Sequence, residues 1–258
     1  MINVIHNSIR EMLDQGRTVL GTWITTGNQD IAELAASVGF DYLVFDTEHA
    51  PLSNETVQKL IQSIGCGKVT PFVRVAWNDQ VLIKLALDIG AHGLIIPFVN
   101  NKEDAIRAVA ATKYPPAGMR GIGPRRASNY YQSFQDYVAT ADKEIMVIVQ
   151  IEHVDGVKNI GEILSVKGID AIFIGPADLT ASMGLLGKYE DPKVINTIDK
   201  ILSSAKRSRV VAGIHTFSPE DAAKRISQGF QFIIVGTDVG FFIQGCRETI
   251  RKIKGIAH

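Results

Sequence analysis

Seven residues of this sequence have the types and spacing to do chemistry together: Asp46, Glu48, His49, Arg74, Gln150, Glu152 and Asp178. Each stands where an apolar, strand-like run stops. IMVIV runs into Gln150-Ile151-Glu152, and DAIFI runs into Gly175-Pro176-Ala177-Asp178. Carboxylates so placed are hard oxygen ligands, suited to a divalent cation such as Mg, Mn or Co. A cation on Glu152 and Asp178 leaves positions open for the keto and carboxylate oxygens of a 2-oxo acid. It would then stabilise the enolate formed when a C3 proton leaves or a C3–C4 bond breaks. Arg74 can add positive charge at the same oxygen. The amides of Ala177 and Asp178, just after Gly175-Pro176, can hold the substrate carboxylate. His49 is the natural proton shuttle near neutral pH. The bland alternative is that Glu152 and Asp178 merely start the helices that follow, since acids favour helix N-termini. Asp46 is placed with the substrate-binding residues, although it could likewise cap a turn, and His215, at the end of another run, could line a pocket or simply be satisfied. Trp23 and Phe98 read as wall, with Trp23 beside the substrate.

These residues converge only if the fold brings strand ends to one face. Eight runs read as strands: 19–25, 41–46, 69–75, 92–99, 145–152, 170–175, 210–216 and 230–236. They are rich in Val, Ile and Phe and are bounded by turn residues. Helical patterns lie between them. Several open on Asn28, Ser53, Asn78 or Ser218 and close on Gly39, Gly65, Gly90 or Gly229, as caps require. Eight such units in one 258-residue chain predict an α/β fold, a (β/α)8 TIM barrel over residues 1–258 as a single domain. Continuous apolar strands suit a parallel sheet buried on both faces. A doubly wound open sheet is the alternative, but no GxGxxG follows the first strand. Residues 113–143 add an extra loop and helix, too long for a minimal connection, and 184–192 separates a short helix from a longer one.

Composition narrows the class. The chain is 46% hydrophobic and 21% charged, with 27 basic and 27 acidic residues, so no global field points to nucleic acid or an anionic membrane. MINVIHNSIREML reads as a short amphipathic helix rather than a secretory signal, and no run is long enough to span a membrane. Cys66 and Cys246 read as free thiols in a reducing compartment, which points to the cytoplasm. Of Arg120, Arg125 and Arg126, at least two read as solvated. The step Gly236-Thr237-Asp238 is a weak candidate for holding phosphate. The strand runs contain no lysine, which disfavours imine chemistry, and there is no HExxH or Cys/His cluster for zinc.

The segments FDTEHAP (45–51), VRVAWND (73–79), YPPAGMRGIGP (114–124), VQIEHVDGVKNI (149–160) and IGPADLTASMG (174–184) resemble the HpcH/HpaI aldolase family, the class II pyruvate-dependent aldolases. The likeness runs from about residue 20 to near the C-terminus. It implies cleavage of a 4-hydroxy-2-oxo acid, of sugar-acid or aromatic-catabolism type, to pyruvate and an aldehyde. It also implies metal on Glu152 and Asp178, Arg74 at the keto oxygen, His49 moving protons through water, and Gln150 lining the site. Asp88 matches the family's helix aspartate, and it would support His49 from a neighbouring subunit. Family members commonly exchange the last helix and assemble as hexamers, here a trimer of dimers. The apolar run Phe241-Phe242-Ile243 agrees with a surface that seeks a partner, although it could pack on its own barrel. The chain departs from familiar members at PRRASNYY after Gly123, and at His215-Thr216, where sugar-acid aldolases often carry apolar residues. Both places are expected to shape the aldehyde end. Two other readings stand beside the aldolase. One is a different enolate reaction, oxaloacetate decarboxylation or a citrate-lyase-like cleavage. The other is a non-catalytic barrel that binds sugar acids.

Overall fold

A computed structural model describes residues 6–65 and 69–255. Cys66 lies outside them. A short helix α1 (Ser8–Asp14) precedes β1 (Val19–Ile24), α2 (Gln29–Ser37), β2 (Tyr42–Asp46), α3 (Asn54–Ser63), β3 (Thr70–Arg74), α4 (Gln80–Asp88), β4 (Gly93–Ile96) and α5 (Lys102–Thr112). The added segment contributes α6 (Phe134–Glu144), and then come β5 (Met146–Ile151), α7 (Val154–Lys158), α8 (Ile160–Leu164), β6 (Ala171–Ile174), α9 (Pro176–Ser182) and α10 (Pro192–Ser208). The chain closes with β7 (Val211–Thr216), α11 (Pro219–Gln228), β8 (Phe232–Thr237) and α12 (Asp238–Lys254). The strands form a closed parallel barrel in the order β1 to β8, so all eight predicted runs are strands of one (β/α)8 barrel.

Alternate residues of each strand face in and out. The outward set packs under the helices in one large core, while the inward set fills the barrel with Trp23, Tyr42, Phe72, Phe173 and Phe232 among smaller residues. Tyr42 and Phe232 stack at 4.2 Å, and Phe72 meets both at 5.5 and 5.6 Å. So many rings fit because glycines face them. A Cβ on Gly21 would strike the Tyr42 ring, one on Gly93 would strike Phe72, and one on Gly213 would sit 2.7 Å from the Phe232 carbonyl oxygen. Below this layer, Ile9 and Leu13 of α1 join the interior cluster and close the N-terminal mouth.

The helix ends follow the expected capping chemistry at Asn28, Ser53 and Ser218, and Gly39, Gly65, Gly90 and Gly229 all take positive φ. The cap of α4 is a correction. Asp79, not Asn78, accepts from Val81 N and Leu82 N, while the Asn78 amide donates to the Asp104 carbonyl and ties this loop to α5.

Two further expectations change. Arg120 is fully buried, and the half-buried Arg126 donates to the Ile89 carbonyl, so only Arg125 of the three arginines is exposed. The Gly236-Thr237-Asp238 step does not present phosphate donors. Thr237 caps Gly240 N, and the Asp238 carboxylate takes the amides and hydroxyls of Thr25 and Thr26 at 2.6–3.0 Å. A carboxylate there repels an anion. It also fastens the start of α12 to the loop after β1. Beyond that anchor α12 buries none of its residues, and Phe242 and Ile253 are 73% and 79% exposed. No helix among the described residues is long and apolar enough to cross a membrane.

The interior layer gives a direct test. Gly93→Ala is expected to destabilise the barrel by about 1–3 kcal/mol, the usual cost of overpacking a filled core. Urea unfolding would measure it, and an unchanged midpoint would show that Phe72 can move aside.

Candidate active site

The C-terminal end of the barrel carries the candidate residues on neighbouring strands. Asp46 ends β2 and Arg74 ends β3, and the two are direct register partners in the ladder. Their side chains form a two-pronged pair, Arg74 Nε to Asp46 Oδ1 at 2.9 Å and Nη2 to Oδ2 at 2.8 Å. Asp46 also accepts the Glu48 and His49 amides, so its oxygens are engaged and it acts as the holder of Arg74 and of the turn after β2. The remaining guanidinium nitrogen, Nη1, lies 3.2 Å from Glu48 Oε2. The Trp23 ring covers the guanidinium at 4.1 Å, a cation–π contact. Arg74 is thus fixed by two carboxylates and a ring, with little of it exposed.

Glu152 follows β5 and is buried. Its Oε1 accepts the Phe98 amide at 3.0 Å, and its Oε2 accepts from Gln150 Nε2. The helix-start alternative fails for Glu152, because α7 is capped by the His153 ring, whereas Asp178 does stand in the first turn of α9. Gly175 lies against this pair. A Cβ there would stand 3.4 Å from both Gln150 Nε2 and Glu152 Oε2. Gly175 also caps α9 without a side-chain bond, which leaves the first-turn amides at Ala177 and Asp178 uncapped by protein side chains. Asp46 and Glu48 hold the guanidinium, and the charges of Glu152 and Asp178 reach Glu48 as well. Burial first, and then the charges of Glu152, Asp46 and Asp178, push Glu48 up to about 8 against the pull of Arg74. Burial and the Asp178 charge also raise Glu152. An excess of negative charge around hard oxygen donors is what a divalent cation relieves. Glu152 and Asp178 are the pair that Arg74 does not neutralise directly. No group of three or more metal-type side chains exists among the described residues.

His49 stands at the rim, 58% exposed, with Nε2 3.7 Å from Glu48 Oε2. His215, at the end of β7, accepts from Trp23 Nε1 at its Nδ1, 3.2 Å away. Burial and the nearby Arg74 charge push its imidazole down to about 4, so it is neutral near pH 7. Asp88 is placed apart, at the end of α4. Arg120 Nη2 holds it at 2.8 Å, and no hydrogen bond or ion pair among the described residues joins it to His49. Burial raises the Asp88 carboxyl despite that arginine.

Comparison with known proteins fits this geometry. Residues 19–245 match the model of the HpcH/HpaI aldolase/citrate lyase family. The chain belongs to that family. It is 40% identical to a 4-hydroxy-2-oxo-heptane-1,7-dioate aldolase of Salmonella dublin, over 93% of this chain and 91% of that protein. In structure it is similar to an HpcH/HpaI aldolase/citrate lyase family protein of Burkholderia cenocepacia J2315, with TM-score 0.93 and 33% identity over 96% of this chain and all of the other. It is also similar to a citrate synthase, with TM-score 0.86 and 30% identity over 95% of this chain and 97% of the other. As an HpcH/HpaI protein alike to aldolases over most of its length, it is an enzyme of the carbon–carbon lyase class.

In this HpcH/HpaI barrel the structure adds contacts that sequence reading did not assign. Glu48 was legible only as one more acid in DTEH, and its contact with Arg74 gives it a place. The Phe98 amide reaches Glu152 because Phe98 has φ 57°, a conformation no side-chain pattern announces. Arg120 holds Asp88 from between Tyr114 and Tyr137, a cluster drawn from distant parts of the added segment.

Glu48 makes a test of the crowding. Its folded pKa of about 8 lies above the ordinary 4.5, so its stabilising share is full below about pH 4.5 and is lost as pH rises through about 8. Glu48→Gln removes that loss. In EDTA, the melting-temperature gain of the variant over the parent is expected to be larger at about pH 9 than at about pH 5. An equal difference at both would show that Glu48 stays ionised.

Proposed function

We propose that this protein is a divalent-metal-dependent aldolase that cleaves 4-hydroxy-2-oxo acids to pyruvate, or a close relative, and an aldehyde. The observation that carries this reading is the immobilised Arg74, whose charge acts on Glu152 together with that of Asp178. Glu152 and Asp178 would hold the metal, which when bound supplies Lewis-acid stabilisation of negative charge on the keto oxygen. In the cleavage direction the C4 hydroxyl loses its proton and becomes the aldehyde carbonyl. The C3–C4 electron pair stays with the pyruvate half as an enolate, which then takes a proton at C3. Arg74 points fixed N–H donors at the developing oxyanion, and Asp46 and Trp23 keep them from reorienting. Gln150 lines the floor and orients Glu152. His49, exposed at the rim, exchanges protons with solvent water. The α9 amides at Ala177 and Asp178 receive the substrate carboxylate.

A second reading has one observation in its favour. The likeness to a citrate synthase supports keeping the other enolate reactions, a citrate-lyase-like cleavage and oxaloacetate decarboxylation, in the same assay series.

EDTA is expected to abolish pyruvate release from 4-hydroxy-2-oxo acids, and Mg, Mn or Co to restore it. Calorimetry with Mn should show binding lost in Glu152→Ala and Asp178→Ala. Arg74→Ala should lower kcat by about 10²–10³ and slow pyruvate C3 proton–deuterium exchange in step. His49→Ala should slow proton transfer by about 10²–10⁴ with little change in pyruvate affinity. Full turnover after rigorous chelation would end this reading.

The working form is proposed to be an oligomer, a hexamer built as a trimer of dimers, with α12 docked on a second copy. Phe241 stacks on Phe40 of its own barrel, but Phe242 and Ile253 of the same amphipathic helix are bare to water. In that assembly Asp88, held by Arg120, would reach the His49 of a neighbouring copy. Mixing inactive Asp88→Ala and His49→Ala subunits is expected to regenerate activity. A fully active monomer in sedimentation, or silent mixed oligomers, would reject the shared site.

A further inference from the structure

A cavity of about 740 Å³ opens at the ends of β6 and β7, beside the metal-ligand candidates. Pro176, two positions before Asp178, forms part of its wall, and His215 forms another part. His215 touches Trp23, and Trp23 covers Arg74, so His215 borders both the cavity and the place assigned to pyruvate. Tyr189 and Phe217 face each other across 4.5 Å, and Phe217 meets the His215 ring edge-on at 4.8 Å. Ile198 adds to this apolar lining.

The polar groups of the cavity are specific. A tryptophan N–H can only donate, so His215 Nδ1, which accepts it, carries no proton. A neutral imidazole must then bear its proton on Nε2, which makes that atom a donor. The charged lining does not favour an anion. Arg225 is held by Asp221 at 3.1 Å and by Gln228, and Lys188 lies in an exposed loop with Glu190 and Asp191. The cavity thus offers rings, one fixed neutral donor, and more acids than bases.

We infer that this cavity is the acceptor-aldehyde subsite, that it takes an uncharged aldehyde with a flat aromatic body, and that His215 Nε2–H donates to an oxygen on that body. The inference rests on the aldolase reading above and narrows it, since an acceptor ending in a carboxylate would meet Asp221, Glu190 and Asp191 with no unpaired buried cation. His215 and the Tyr189–Phe217 pair are then specificity residues, which choose the partner of the enolate rather than form it.

The test runs in the synthetic direction with pyruvate, Mn and three aldehydes: 4-(hydroxymethyl)benzaldehyde, benzaldehyde and succinic semialdehyde. The parent enzyme is expected to show a kcat/KM for 4-(hydroxymethyl)benzaldehyde above that for benzaldehyde, and both above succinic semialdehyde. His215→Leu should cut the 4-(hydroxymethyl)benzaldehyde to benzaldehyde ratio by about 3–10-fold, the worth of one neutral hydrogen bond. His215→Gln, which keeps a donor, should recover part of it. The ratio is insensitive to any loss shared by both aldehydes, so partial misfolding or a disturbed Trp23 does not mimic the effect. Pyruvate C3 proton–deuterium exchange by the parent enzyme without aldehyde checks the reading underneath. No exchange overturns the aldolase itself. Exchange with a preference for succinic semialdehyde, or with a ratio unmoved in His215→Leu, overturns the subsite and leaves the aldolase standing.

Discussion

A guanidinium at the mouth of a parallel barrel stays charged and stays in place only if anions hold it. Here the holder is Asp46, its direct neighbour across the β2–β3 ladder, and the two are joined by paired 2.8–2.9 Å bonds. The strand register itself brings the two side chains together. Removing one partner of such a buried pair leaves an uncompensated charge, at a typical cost of about 3–5 kcal/mol. The rest of the site is arranged around the pair. Trp23 covers its open face, Glu48 takes its last nitrogen, and the amides of the following turn fold back onto Asp46.

That arrangement leaves the site short of positive charge. Arg74 is shared between Asp46 and Glu48. Burial first, and then the neighbouring carboxylates, raise the carboxyls of Glu48 and Glu152. Two amide-type donors, the Phe98 N–H and the Gln150 side chain, orient Glu152 without neutralising it. Oriented oxygen donors of this kind are what the proposed divalent cation would bind.

Much of this was legible in the sequence, and the reason is the fold. Strands buried on both faces read as continuous apolar runs, so a polar residue at the end of one stands out. That contrast located Asp46, Arg74, Gln150, Glu152 and Asp178, and it placed all eight strands within a residue or two at most ends. What was hidden depends on tertiary neighbours. Arg120 reads as a loop arginine until Tyr114 and Tyr137 close over it. The cap of α4 passed from Asn78 to Asp79 because the asparagine was needed by α5. The Phe98 amide reaches Glu152 through a backbone angle that carries no compositional mark.

The ring-and-glycine layer inside the barrel carries a different lesson. Tyr42 occupies the space Gly21 leaves, Phe72 the space Gly93 leaves, and Phe232 and Phe173 the space at Gly213. Size in this layer belongs to pairs of positions rather than to single ones. A larger residue at a glycine can be accommodated only if the facing ring shrinks in the same step, so sequence drift inside the barrel is confined to coordinated exchanges. Above the layer, the floor beneath Trp23 is Phe173. An exchange in the interior would therefore be felt at the mouth, and the packing of the barrel limits how the site above it can diversify.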